Sequence, residues 1–268
     1  MKLYKIINVV LSTFILTTPL VTAADEPFAR EIMTKVEARD DGDKMTSNMK
    51  MLLIDKRGNQ RVRELRRFVK DVGKDTHSLI FFLHPSDVKD TGFLTYDYDD
   101  AARDDDQWLY LPALRKSKRI ASSDKSGSFM GSDFSYSDMT SRVLEDYDFK
   151  LLKESKVADK KVWLIEAKPR SSEVIKETGY TKSVLFVRQD NFFVVRAIHW
   201  QKEGNKLKYL DVKNLELIDG IWFATETHMT TKKGKQTQHK TILHFNDVRF
   251  NQDMDESLFT VRRLEKGL

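Results

Sequence analysis

The chain has no cysteine. Disulfides are therefore excluded, as is a lipid anchor on an amino-terminal cysteine, and the fold must rest on its hydrophobic core. Proline and glycine are scarce, 5 and 11 of 268 residues, and no stretch rich in Pro, Gly or Ser divides the sequence. One domain is expected over residues 24–268, about 245 residues, which suffices for one large β unit. After residue 20 no apolar run approaches the length of about 20 residues that a bilayer span requires. Charge of one sign is not in large excess. The formal net charge is +5, and leaving out Lys2 and Lys5 makes it +3. Bases and acids are intermixed, which speaks against nucleic acid as a partner and permits contact with anionic lipid head groups. Enzymatic signatures are missing as well: there is no G-x-S-x-G, no Walker loop and no H-E-x-x-H. A non-enzymatic role is expected, and a lipid hydrolase is disfavoured for want of nucleophile, metal and base signatures.

Metal and cofactor chemistry finds little support. His239 and His244 are five apart on one expected strand, so alternation sends them to opposite faces. His77 and His84 fail in part for the same reason. The acidic run Asp99 to Asp106 lacks the spaced glycine loop of a calcium site and reads as a solvated turn. Gly127 to Ser132 is glycine-rich without the lysine of a phosphate loop and reads as a flexible loop. No metal and no cofactor are expected.

What is present begins with a secretory signal. Lys2 and Lys5 precede an uncharged apolar stretch, Ile6 to Leu20, and Val21-Thr22-Ala23-Ala24 supplies small residues for cleavage after Ala23 or Ala24. Residues 1–23 are thus expected to be removed on export, leaving a mature periplasmic protein. Pro27 to Arg39 reads as a helix with Phe28, Ile32, Met33 and Val36 on one face. Strand signals then recur to the end of the chain. Met45–Asp55 and Gln60–Val72 form an expected hairpin around Lys56-Arg57-Gly58-Asn59, and Asp219-Gly220 marks another turn. About ten to twelve short strands joined by short turns point to an antiparallel meander, a barrel or a strongly curved sheet. Ser122 to Asp138 reads as a loop, and Leu258, Phe259 and Val261 as a cap on the core.

A cavity is suggested by three features. Met45, Met49, Met51 and Leu53 make a methionine-rich strip on one strand face. Methionine adapts to varied apolar surfaces, so the strip reads as a wall for acyl chains or as ordinary core. Aromatics, Trp108, Tyr110 and Trp163 among them, are spread over many strands, and a large barrel can leave room between them for a ligand. Phe129, Met130 and Phe134 stand in an otherwise polar loop, where exposed aromatics point to a cavity mouth or a partner. Beside that loop Arg115, Lys116, Lys118 and Arg119 form a basic cluster. It suits docking to an acidic partner or a phosphate head group, and equally a strand edge protected by lysine.

The segment W-L-Y-L-P-A-L-R-K, then R-I-A, then D-K-S-G-S-F-M-G-S-D-F-S-Y-S-D-M, within Trp108 to Met139, resembles the periplasmic outer-membrane lipoprotein-sorting (LolA-like) proteins associated with RND-type (MMPL-like) exporters. Met49 to Gly58, Phe82 to Leu94, Asp146-Tyr147-Asp148-Phe149 and Leu258-Phe259-Thr260 extend the likeness over nearly the whole chain. The resemblance implies a mainly β fold with a few helices: an unclosed antiparallel β-barrel around a hydrophobic cavity, with a helical lid. It implies a periplasmic carrier that takes a lipid, a lipoprotein acyl chain or other hydrophobic cargo from an inner-membrane exporter toward the outer membrane. The expected ligand-binding residues are Met49, Met51, Leu53, Trp108, Tyr110, Phe129, Met130, Phe134 and Trp163, and the expected docking residues are the basic four. The alternative is a periplasmic adaptor of an RND transporter with a filled core and no cargo of its own.

Overall fold

The computed structural model describes residues 25–268. The expected export signal therefore lies outside the described residues. Helix α1, Pro27–Glu37, starts with proline at its first turn, where the missing N–H costs nothing. It buries Ala29, Ile32 and Met33. Phe28, read as part of that face, is half exposed and meets the edge of Trp163.

Thirteen strands follow, one more than the upper bound read from the sequence: β1 Lys44–Asp55, β2 Gln60–Val72, β3 Asp75–His84, β4 Gly92–Asp97, β5 Asp106–Leu111, β6 Lys116–Arg119, β7 Tyr147–Val157, β8 Lys160–Pro169, β9 Tyr180–Arg188, β10 Val194–Gln201, β11 Lys206–Ile218, β12 Ile221–Lys233 and β13 Gln236–Phe250. Turn chemistry sets several of the registers. At the β1–β2 turn the Asp55 carboxylate accepts from the amides of Arg57 and Asn59 at 2.8 and 3.0 Å. Asp219 and Gly220 both take positive φ, 51° and 87°, as a tight two-residue hairpin requires. A short helix α2, Ser172–Thr178, interrupts β8 and β9. It was not foreseen, although Ser171 caps its start and Gly179 (φ 77°) ends it. Helix α3, Val261–Lys266, closes the chain.

All strands belong to one antiparallel sheet, ordered β6-β5-β4-β3-β2-β1-β13-β12-β11-β10-β9-β8-β7. The first and last strands of the chain pair with each other in the middle of that order, from Met45↔Phe250 to Asp55↔His239. The two edges are β6 and β7, and they are not paired with one another. The barrel is therefore unclosed, and its gap falls in mid-chain. Residues 120–146 run from one edge to the other and form a strap of short 3-10 turns.

Alternation sorts the sheet into two faces. Met49, Met51, Leu53, Leu65, Ile80, Phe82, Phe93, Met229 and Leu243 form an inner cluster closed by Phe129 and Phe134 of the strap. The other half of the inner face, with Phe149, Ile165, Ala167, Leu185 and Ala197, packs against α1. On the outer face Leu79, Phe81 and Leu94 are covered by Phe259 and Leu264 of the carboxy-terminal segment. The cap expected at the chain's end is present, but it covers the outside of the sheet. Gly92 marks how closely α3 lies, since a Cβ there would stand 2.5 Å from a methyl of Leu264.

Candidate functional site

Between the strap and the inner face of the sheet lies a cavity of about 350 Å³. Its walls come from β1, β2, β3, β4, β12 and β13, and its floor from the strap. Met49, Met51 and Leu243 supply the sheet side of its buried end, and Phe129 and Phe134 the strap side. Phe129 packs 5.0 Å from the ring of Phe93. The other end reaches the surface at exposed Asp41 and is lined by Arg39, Arg67 and Asp71 with Phe193 and Trp222. The site is thus amphipathic, apolar where it is deep and polar where it opens.

The residues singled out from the sequence divide into three sets. Met49, Met51, Phe129 and Phe134 line the cavity. Leu53 is buried on the same face but one step beyond the cavity wall, and Met130 packs against that cluster from outside it. Trp108, Tyr110 and Trp163 lie elsewhere. Trp108 and Tyr110 point to the outer face, because Leu109 between them points inward opposite Phe93. They pack beneath the carboxy-terminal segment, where Tyr96 stacks edge-on to Trp108 and donates its hydroxyl to the Phe259 carbonyl at 2.8 Å. Trp163 faces inward but lies under α1, stacked 5.8 Å from Phe192. Arg115, Lys116, Lys118 and Arg119 are all exposed along the free edge β6 and its approach. Arg119 pairs with Asp106, and Lys118 reaches Asp124 at 4.0 Å.

The strap is fixed by buried polar groups that sequence reasoning missed. Asp133 is 4 % exposed. Its carboxylate accepts from Thr231 Oγ1 at 2.5 Å and Thr241 Oγ1 at 2.7 Å, and pairs with His239 Nδ1 at 2.6 Å. Its amide donates back to Thr241 Oγ1 at 2.9 Å. Asp138 accepts from the Tyr180 hydroxyl at 2.9 Å, and that hydroxyl accepts from Lys208 Nζ at 3.0 Å. Burial raises the Asp138 carboxyl, but Lys208 and the Ser135 amide outweigh it and hold the group below the usual carboxylate value. The Tyr180 phenol is pushed well above its ordinary value by burial and by Asp138. Lys125, almost wholly buried, pairs with Glu177 of α2 at 2.5 Å, and Arg63 of β2 donates to the Met130 carbonyl. Every one of these partners links the strap to the barrel or to α2. The only sequence signal for them is polar residues at inward strand positions, and that can be read only once the register is known.

Ser183, His199 and Asp138 invite comparison with a nucleophile triad. Ser183 Oγ lies 2.8 Å from His199 Nδ1, but Ser183 is 2 % exposed and packed inside the sheet. Among the described residues no group of three or more acidic or histidine side chains could hold a metal ion. No helix among them is long and apolar enough to cross a membrane.

A family model described as "-like: Uncharacterized protein" matches residues 74–266. No curated protein matches. Among solved structures the chain is similar to a domain from Vibrio parahaemolyticus described as an outer membrane lipoprotein-sorting protein domain, with 33% identity over 89% of this chain and 98% of that one, at a TM-score of 0.80. It is similar to a DUF1329 family protein from Desulfovibrio piger, with 28% identity over 90% of this chain and 99% of that one, at a TM-score of 0.81. A LolA superfamily protein from Nitrosomonas europaea shares the fold at 18% identity, over 87% of this chain and 98% of that one, with a TM-score of 0.63. The lipoprotein-sorting resemblance read from residues 108–139 and the flanking pieces agrees with the Vibrio parahaemolyticus domain, and the fold it implies agrees with all three structures.

Proposed function

The chain belongs to the family whose model spans residues 74–266 and to which it is tied by 33% identity with a lipoprotein-sorting domain, and we propose that it is a periplasmic carrier of a single-chain lipid or acyl group. The carrying observation is the cavity of about 350 Å³ between the methionine wall and the strap. At roughly 30 Å³ per water-sized group it holds about a dozen such groups, the bulk of one medium acyl chain. A dozen methylenes gain on the order of 10 kcal/mol on burial before ordering costs, so affinity needs no covalent chemistry. Release requires the strap to move away from the sheet.

The adaptor alternative calls for a filled core, and the open space beside Met49, Met51, Phe129 and Phe134 favours the carrier. Exchange with an inner-membrane RND-type exporter is proposed to use the free basic edge. Arg115 and Lys116 are exposed there, and no ion pair holds them among the described residues. Charge reversal at Arg115 and Lys116 is expected to weaken that docking and leave cargo uptake intact.

Native mass spectrometry of protein purified from the periplasm, followed by organic extraction, tests the reading. The expected result is one acyl chain per protein. Met51→Asp and Phe134→Asp are each expected to weaken uptake of a fluorescent fatty acid by at least about tenfold, since each puts a charge into the apolar end. Apo protein that also refuses the probe would move the assignment to the adaptor.

A further inference from the structure

The wall of the cavity carries polar atoms that nothing in the protein satisfies. Arg67 lies on the inner face of β2, directly opposite Ser47 of β1. Its Nε is shut off from solvent and makes no hydrogen bond, and neither does Ser47 Oγ. Two strands further on, Thr95 is 1 % exposed and its Oγ1 is likewise unpartnered. Arg67 and Thr95 both line the cavity. Buried polar groups are nearly always paired, so Arg67 and Thr95, left unpaired on one cavity wall, mark a place where another molecule's acceptor belongs.

The position of the cluster says what that molecule looks like. It stands toward the open end, with the apolar end at Met51, Phe129 and Leu243 beyond it. Arg39, anchored to the Trp222 carbonyl at 3.1 Å and lying over the Phe193 ring at 4.5 Å, brings a second guanidinium to that rim. Asp41 and Asp71 line the rim too. Asp41 acts on Arg67 electrostatically, yet Arg67 Nε has no hydrogen-bond partner among the described residues. With both signs at the rim, long-range attraction is weak. Recognition must come from short, directed hydrogen bonds, which a planar guanidinium gives best to carboxylate or phosphate oxygens.

We propose that the cavity selects an anionic single-chain amphiphile, its tail against the methionine wall and its carboxylate or phosphate head on Arg67 with Thr95 beside it. This deepens the carrier reading and rests on it. The head would give Arg67 Nε the acceptor it lacks without displacing an existing hydrogen bond.

The test uses the full chain and three ligands with one tail: dodecanoate, dodecyl phosphate and dodecanol. Affinities are read by displacement of a neutral fluorescent probe. At least one anion is expected to bind about tenfold or more tighter than the alcohol, the scale of one charge-assisted hydrogen bond. Preference between the two anions separates a fatty acid from a phosphate-headed lipid as the source. Arg67→Met should erase the preference for the anion over dodecanol, and Arg67→Lys should keep part of it. Thr95→Val, a near-isosteric change that serves if Arg67→Met does not fold, should narrow the preference for the anion over dodecanol by about threefold. Equal binding of anions and alcohol to the wild type, or an unchanged preference in Arg67→Met, overturns the proposal and leaves the carrier standing. Failure of all three ligands to bind removes both.

Discussion

A histidine stacked 4.5 Å from Tyr180 and bonded to Ser183 has no room for a second proton. Burial, with Arg142 and Lys208 nearby and only Asp138 opposing, takes the His199 pKa down to about 3. The unfolded chain binds that proton near pH 6.5 and the folded chain does not. His199 therefore favours the fold fully above pH 6.5, and its contribution is lost as pH falls toward 3. Asp97 works the other way. Burial and Asp105 raise it to about 6, so it favours the fold below its unfolded value, and that contribution is lost as pH rises through 6. The two slopes offset one another in the wild type. In His199→Gln the histidine slope is gone, and the stability difference between the two proteins should change by about 1.4 kcal/mol per pH unit over that window. Urea unfolding of both proteins from pH 7 to pH 4 measures it, and parallel curves would refute the assignment.

At the scale of elements, the strap and α3 carry the informative contacts. Asp133 ties the strap to β12 and β13, and Asp133→Ala leaves Thr231, Thr241 and His239 facing an empty site. A loss of about 2–3 kcal/mol is expected. Hydrogen exchange should speed up over residues 125–139 while the amides of β2 stay protected. On the other face, Gly92→Val should push α3 off β4 and destabilise by about 1–3 kcal/mol, visible as a lowered unfolding midpoint.

The same elements show how far the sequence could be read. The β1 strip was legible because its outward neighbours, Thr46, Asn48 and Lys50, are polar. The strap aromatics were legible because their surroundings are polar. Trp108 and Tyr110 were not, because β5 is apolar on both faces, one packed on the core and one under the carboxy-terminal segment, and alternation then carries no direction. Arg67 was hidden for the opposite reason. The inward set of β2 reads Arg63, Leu65, Arg67, Val69, and its charged members look like solvent positions until the partner strands are known.

At the scale of the whole molecule, both sheet edges had to be dealt with, since an unpaired edge recruits other chains. Edge β6 is short and basic, consisting of Lys116, Ser117, Lys118 and Arg119. Edge β7 is covered at its start by the residues before α1: Glu26 N donates to the Phe149 carbonyl at 2.9 Å, and Asp25 and Glu26 accept from the amides of Phe149 and Leu151. An occupant that binds only the folded barrel should raise its unfolding temperature with concentration, by about 2.7 kcal/mol of stability at a hundredfold excess over Kd. Dodecanoate added during thermal unfolding measures this, and an unmoved midpoint at saturating ligand would contradict cavity binding.

The pairing of β1 with β13 also dictates the order in which the molecule can come together. Residues 44–119 can zip up as successive hairpins while the rest of the chain is still arriving. The second wall of β1, however, is made of residues 236–250, far along the chain from it. Until they pair, the methionine row has a neighbour on one side only, and the two arms of the sheet are separate ribbons. Contacts so distant along the chain are slow to form, placing this barrel among the millisecond-to-second folders. The binding chamber therefore waits on that distant pairing, and a chain without residues 236–250 would have two ribbons and nowhere to put a ligand.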